Sequence, residues 1–127
     1  MSVKNFFTFA AAVYLLYGLW YFFLPQTVAE IYGFSAFANP VTTIFLQFLG
    51  IYCIASGVLF GVARKAEKCP GRTAALAFLA LVALLSVYMD VKTLLGAPSA
   101  MDYIDTVLNA FLGSTALYLL LRERKKA

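Results

Sequence analysis

Acidic and basic side chains cluster around one predicted turn in the second half of the chain, and they are the residues best suited to chemistry. They are Asp90, Lys92, Asp102 and Asp105, and the turn reads Gly96-Ala97-Pro98-Ser99. Asp90 and Asp105 are equally far from the middle of the turn, so two antiparallel helices would bring their carboxylates to a similar depth. Two carboxylates in a low dielectric cannot easily both ionise, and they would share a proton or recruit a cation.

This cluster has two interpretations. In the functional one, Asp90 and Asp105 titrate together at a proton-handling or cation-binding site, where Lys92 is the available neutralising charge. The deeper hydrogen-bond partners of this candidate polar site would be Asn109 and Gln47. In the structural one, the acids lie in the headgroup zone, cap the last helix and pair with Lys92. Counting along the helices places the acids near the hydrocarbon edge, which favours the structural interpretation.

The elements that must position these residues are predicted from composition. The chain has 127 residues, of which 63% are hydrophobic and only 13% charged, and the charges fall in short clusters between long apolar runs. Runs of about 20 apolar residues are long enough to cross a bilayer as helices. We therefore predict an all-α integral membrane bundle, a single domain over residues 1–127. Its four transmembrane helices are placed near residues 5–24, 40–63, 72–95 and 102–121.

The connection between the first two spans is long for a turn. Pro25 suits a helix start and Gly33 a helix end, so this stretch predicts a short interfacial helix. Val28, Ile31 and Tyr32 would face lipid, while Gln26 and Glu30 would face water. Such a helix would form a lid over the bundle, and the alternative is that it forms part of a ligand mouth.

Basic residues indicate the orientation. They fill the second loop and the C-terminal tail, at Arg64, Lys65, Lys68, Arg72, Arg122, Arg124, Lys125 and Lys126. The positive-inside bias places both regions in the cytoplasm, and an even number of spans then places the N-terminus there too. This topology and attraction to anionic membrane lipids explain the net charge of +4 without nucleic-acid binding. Short basic loops and the absence of a targeting sequence predict a bacterial cytoplasmic (inner) membrane.

Small residues recur at helical spacing and predict close helix packing. The second span carries Gly50, Gly57 and Gly61, and the fourth carries Gly113. These faces could pack inside the bundle or against other membrane-protein subunits or a second copy of the chain, and the sequence leaves both open.

The tyrosines Tyr14, Tyr17 and Tyr21 recur along one face of the first helix. Most aromatic residues here are interpreted as an interfacial belt, and the alternative is a pocket for a bound lipid or a quinone. No cofactor is predicted, because the chain has no histidine to ligate haem, zinc or copper. Cys53 is interpreted as a packing residue, and Cys69 as an inert loop thiol or a lipidated or reactive one.

Several short motifs carry a family resemblance. They are Tyr17-Gly18, Leu24-Pro25, Ile31-Tyr32-Gly33, Phe48-Leu49-Gly50 and Ser56-Gly57. Their order resembles the small DoxX-like four-helix membrane proteins of bacteria, over the first half of the chain and, as two further spans, over the second. DoxX itself is associated with a quinone oxidoreductase system, so the resemblance implies an accessory subunit. A basic residue that often precedes the second-helix glycine in that family is here Gln47 or Phe48.

Two classes of function follow. The first is a non-catalytic accessory or assembly subunit of a larger membrane complex, packed through its small-residue faces. The second is a small transporter or a lipid- or quinone-binding protein that uses the outer-leaflet carboxylates. An enzyme comes third, because the sequence shows no nucleophile with a neighbouring base.

Overall fold

In the computed structural model, residues 2–35 and 39–125 are described, and the regular elements within them are helices. These are α1 (Val3–Phe23), α2 (Pro25–Ile31), α3 (Pro40–Ala63), α4 (Pro70–Leu94) and α5 (Ala100–Lys125). All except α2 are long and apolar enough to cross a membrane. The predicted all-α fold, with four spans and a short helix between the first two, is confirmed.

Helix starts are set by capping side chains. Asn39 caps α3 by accepting a hydrogen bond from the Thr42 amide at 2.9 Å. Cys69 caps α4, with its sulfur 3.5 Å from the Arg72 amide nitrogen. Pro70 then occupies the first helical position, where its fixed φ favours a helix, so α4 begins two residues before the predicted bound.

The last helix is longer than predicted at both ends. At its start, the Asp102 amide donates to Ser99 Oγ at 3.3 Å, and the Ser99 amide donates to Asp102 Oδ2 at 2.6 Å. This reciprocal pair is a capping box, and it starts α5 at Ala100. At its other end, arginine, glutamate and lysine are good helix formers, so α5 continues through the basic tail to Lys125.

The chain forms two compact units, residues 1–65 and residues 66–127. In the first unit, α1 and α3 pack as antiparallel neighbours with α2 against them. In the second unit, α4 and α5 form an antiparallel hairpin.

Two glycines bring α1 and α3 into backbone contact. A Cβ atom on Gly18 would lie 2.7 Å from the Ile54 nitrogen, and one on Gly50 would lie 2.7 Å from the Phe22 nitrogen. Both obstacles are main-chain atoms, so no side-chain rotation could make room. Gly57 is similarly close to Leu15, whose Cγ would be 2.7 Å from an added Cβ. Small residues thus set the helix spacing in this unit.

Gly61 does not share this packing. No described heavy atom outside the local backbone lies within 4 Å of where its Cβ would stand. Here the neighbouring residue Phe60 makes the contact between α3 and α1. Its ring is stacked on that of Phe7, with the ring centroids 6.0 Å apart, and lies edge-on to that of Tyr14, with the centroids 5.2 Å apart. The predicted glycine row therefore packs against α1 at Gly50 and Gly57, whereas Gly61 makes no such contact in its unit.

The short helix α2 packs onto the first unit rather than turning its apolar side to lipid. Val28 is fully buried in a cluster with Ala29 and Leu46, and Tyr32 packs against the same cluster. The prediction that Val28 faces lipid is therefore wrong, because α2 folds back against α1 and α3. Gln26 and Glu30 are exposed, as predicted. Gly33, with a φ of 77°, adopts the left-handed conformation that ends the turn.

In the second unit, α4 and α5 pack against each other along a row of apolar residues, which we call the α4–α5 seam. It consists of the buried residues Leu76, Leu79, Ala83, Leu112, Ala116 and Leu119. The alternating spacing of three and four residues on each helix is typical of two helices packed nearly side by side. Gly113 adds a close approach, since a Cβ there would lie 3.0 Å from Leu84 Cδ2 and 3.2 Å from the Leu84 nitrogen.

We predict that replacing Gly50 with alanine destabilises the protein, because the new methyl group would meet the Phe22 and Gly18 backbones. Overpacking of this kind typically lowers the free energy of unfolding by about 1–3 kcal/mol. Gly61→Ala is the matched control, because it adds the same methyl group to the same helix in open space. Thermal unfolding in detergent micelles measures both, and equal melting temperatures for the two variants would contradict the backbone contact.

Candidate functional site

Asp90 and Asn109 are joined across the α4–α5 hairpin. The Asn109 side-chain amide donates to Asp90 Oδ2 at 2.9 Å, and both residues are partly buried. Asp90 lies seven residues after Ala83, and Asn109 three before Leu112, so both continue the α4–α5 seam toward its turn. The structure therefore brings together two residues of the predicted polar site.

Further carboxylates lie around this pair. Asp105 and Asp102 are both close enough to act electrostatically on Asp90. Asp105 is one helical turn before Asn109 on the same face of α5. Asp102 is already used in the capping box with Ser99. The region thus combines one carboxylate held by an amide, one that caps a helix, and a third nearby.

Lys92 does not take the predicted neutralising position. Its ammonium lies 4.7 Å from the centroid of the Tyr88 ring, in a cation–π contact. Residues four apart on a helix share a face, whereas residues two apart do not, so Lys92 points toward Tyr88 and away from Asp90. This contact is typical of an interfacial anchor.

Gln47 has a different partner from the one predicted. Its side-chain amide donates to the main-chain oxygen of Phe22 at 3.3 Å, within the first unit. Phe22 is in the last turn of α1, where the carbonyl oxygens receive no hydrogen bond from an N–H group of the same helix. Gln47 therefore satisfies a helix end in the first unit, and this bond goes to a main-chain oxygen rather than to a carboxylate.

The predicted tyrosine face divides into two parts. Tyr14 is buried and packs edge-on against Phe60. Tyr17 and Tyr21 instead join an outer aromatic cluster, in which their ring centroids are 6.3 Å apart. The other members of this cluster are Trp20, Tyr32 and Phe34. These rings contact one another and pack α2 against α1, in the place where the sequence suggested a pocket for a flat ligand.

The sequence analysis missed an ion pair at the opposite end of the α4–α5 hairpin. Arg72 Nη2 donates to Glu123 Oε1, and Arg72 Nη1 donates to the Ala66 oxygen at 3.0 Å. Lys68 Nζ donates to the main-chain oxygen of Glu123 at 2.7 Å. Glu123 is only 8% exposed, although it lies in a strongly basic segment. We call Lys68, Arg72 and Glu123 the basic-end clasp.

A signal for this clasp was present in the seam spacing. Glu123 lies four residues after Leu119, and Arg72 lies four residues before Leu76. Extending the buried pattern by one helical turn on each helix therefore predicts that the two side chains meet. Arg72 was counted only as a member of a basic cluster and Glu123 was not considered, which hid this relation.

The two polar contacts of the hairpin are separated by about the thickness of a bilayer core. Asp90 lies eighteen residues after Arg72 on α4, which corresponds to about 27 Å of helix. The hydrocarbon core is about 30 Å thick. The clasp and the Asp90–Asn109 bond can therefore sit at opposite edges of the hydrocarbon, with the apolar seam between them.

The arrangement defines a class of protein: an all-helical chain with four candidate membrane spans, whose polar side chains join helices to one another. Within residues 2–35 and 39–125, no group of three or more His, Cys, Asp or Glu side chains could hold a metal ion. Comparison with family models, with curated proteins and with solved structures gave no match to this chain. The resemblance to DoxX-like proteins therefore stays a prediction.

We predict that Glu123→Ala lowers the free energy of unfolding by about 3 kcal/mol, because it leaves the mostly buried Arg72 charge without its partner. Arg72→Ala should have a similar effect, and the double variant should lose less than the sum of the two. Lys65→Ala, which removes an exposed charge, should change stability by less than about 0.5 kcal/mol. Equilibrium unfolding in mixed micelles measures the free energies of this double-mutant cycle. Additive losses of unfolding free energy would show that Arg72 and Glu123 are not coupled.

Proposed function

We propose that the protein is a non-catalytic accessory or assembly subunit of a larger membrane complex in a bacterial cytoplasmic membrane. The observation that carries this proposal is the open space beside Gly61 on α3. A glycine inside a helix costs about 1 kcal/mol relative to alanine, and close packing against another helix can offset that cost. Since Gly61 receives no such contact from the described residues of its own unit, another subunit is the partner we infer.

The surface around Gly61 suits a neighbouring transmembrane helix. Val58 and Val62, on either side of it along the chain, are 55% and 68% exposed. A small residue between short branched side chains allows two helix backbones to approach closely, and packing of this kind drives helix association in lipid. The contact would be made by dispersion forces, without a charged or catalytic group.

Polar side chains of the described spans support a structural role. Asn109 holds Asp90, Gln47 caps the end of α1, and Glu123 holds Arg72. Each of these contacts lies inside one unit and fixes one helix against another. This use of polar groups fits a protein whose task is to present a defined apolar surface.

The orientation is part of the proposal. The α3–α4 connection carries Arg64, Lys65 and Lys68, and the positive-inside bias places such a segment in the cytoplasm. With four spans, both termini are then cytoplasmic. The resemblance to DoxX-like proteins suggests a redox-linked complex as the partner.

A second candidate is a small transporter or a lipid- or quinone-binding protein that uses the outer carboxylates. The proximity of Asp105 and Asp102 to Asp90 favours it, because clustered carboxylates near a membrane surface can take up a cation or a proton. The bond from Asn109 weighs against it, since one oxygen of Asp90 already has a partner.

The test is native mass spectrometry of the tagged protein, extracted gently from its own membrane. We expect a larger partner protein to be retained in stoichiometric amount by the wild type and to be lost in Gly61→Leu, because the leucine side chain would fill the open space. Ala55→Leu is the matched control: it places the same side chain on an exposed position of α3 that faces another direction, and it should retain the partner.

Full retention of the partner by Gly61→Leu would contradict the proposed contact. A chain that is isolated without any partner protein would contradict the accessory role, and a quinone bound to that chain would support the second candidate. Unchanged helix content by circular dichroism in both variants shows that the substitutions act on association and not on folding.

A further inference from the structure

An open groove of about 510 Å³ lies along the start of α4. It is lined by Lys68, Cys69, Pro70, Thr73, Ala74 and Ala77. From Pro70 onward these residues follow each other at intervals of three, one and three, so they form one face of the helix. The size is within the range of ligand sites in proteins.

One end of the groove is cationic. Lys68 carries three N–H donors, and the Glu123 oxygen takes one of them at 2.7 Å. This bond fixes the ammonium at the mouth of the groove while leaving donors for another acceptor. An anion at this end would therefore be attracted.

The other end of the groove is apolar and enters the membrane span. Ala74 and Ala77 are exposed, and Ala77 lies about 10 Å along the helix from Pro70. Alanine side chains leave a recess, whereas the next residue on this face, Leu81, is large and 60% exposed. The recess can accept the first part of a hydrocarbon chain that runs parallel to α4.

We propose that this groove binds one anionic phospholipid, with its phosphate at Lys68 and an acyl chain along Ala74 and Ala77. Charge complementarity carries the choice of occupant: the site combines a cation at the expected hydrocarbon edge with an apolar recess below it. A phospholipid has the same two parts in the same order. The site is at the end of the hairpin opposite Asp90, and it does not depend on the proposed accessory role.

The experiment is native mass spectrometry of the purified protein titrated with phosphatidylglycerol and, separately, with phosphatidylcholine. We expect one saturable phosphatidylglycerol site and weaker binding of phosphatidylcholine. Lys68→Gln should weaken phosphatidylglycerol binding about fivefold, which is the contribution of one basic residue near an anionic membrane surface. Ala77→Phe should weaken it about tenfold by filling the recess, equivalent to the lost burial of about two methylene groups.

Two variants serve as controls. Lys65→Gln removes the same charge outside the groove lining, and Ala110→Phe adds the same ring at an exposed alanine of α5. Both should bind phosphatidylglycerol like the wild type. Equal loss in the controls, no loss in the groove variants, equal affinity for the two lipids, or full displacement of the lipid by inorganic phosphate would each overturn the proposal.

Discussion

A polar group inside a bilayer has no water to bind, so it must find a partner within the protein or lie at the membrane edge. Several polar side chains of the described spans follow this constraint. The carboxylate of Asp90 receives the Asn109 amide, and the carboxylate of Glu123 receives the Arg72 guanidinium. The carbonyl groups at helix ends follow it too, since Gln47 binds the Phe22 oxygen and Lys68 the Glu123 oxygen. These polar contacts join α1 to α3 and α4 to α5.

The two units pack their helices in different ways. In the first, the backbones of α1 and α3 touch at Gly18 and Gly50, where a side chain on either residue would collide with main-chain atoms. In the second, leucines and alanines fill the α4–α5 seam, and polar contacts close it at both ends. The helix packing of the first unit therefore depends on glycines at the points of contact. The helix packing of the second unit depends on leucine and alanine side chains that fit together.

Spans and turns could be predicted from the sequence because they depend on properties of single segments. Long apolar runs mark the spans, and Pro25 and Gly33 mark the short helix between the first two. Equal distances to the hairpin turn predicted Asp105 opposite Asp90, whereas the residue bonded to Asp90 is Asn109, one helical turn further along α5. Positions along a helix do not by themselves give the direction in which a side chain points, which is why Lys92 was predicted to neutralise the carboxylates although it lies against Tyr88. Helical phase, counted from the buried leucines, would have placed Arg72 beside Glu123.

The central claim is that the α4–α5 hairpin crosses the membrane with its basic end in the cytoplasm and its turn outside. A membrane-impermeant maleimide tests it in sealed vesicles of known orientation. One variant keeps only the native Cys69, through Cys53→Ala, and another keeps only a thiol in the turn, through Ala97→Cys with both native cysteines replaced; Cys69 and Ala97 are both exposed. We predict that Cys69 reacts only from the cytoplasmic side and the thiol at position 97 only from the opposite side. Labelling of both thiols from the same side would contradict the account.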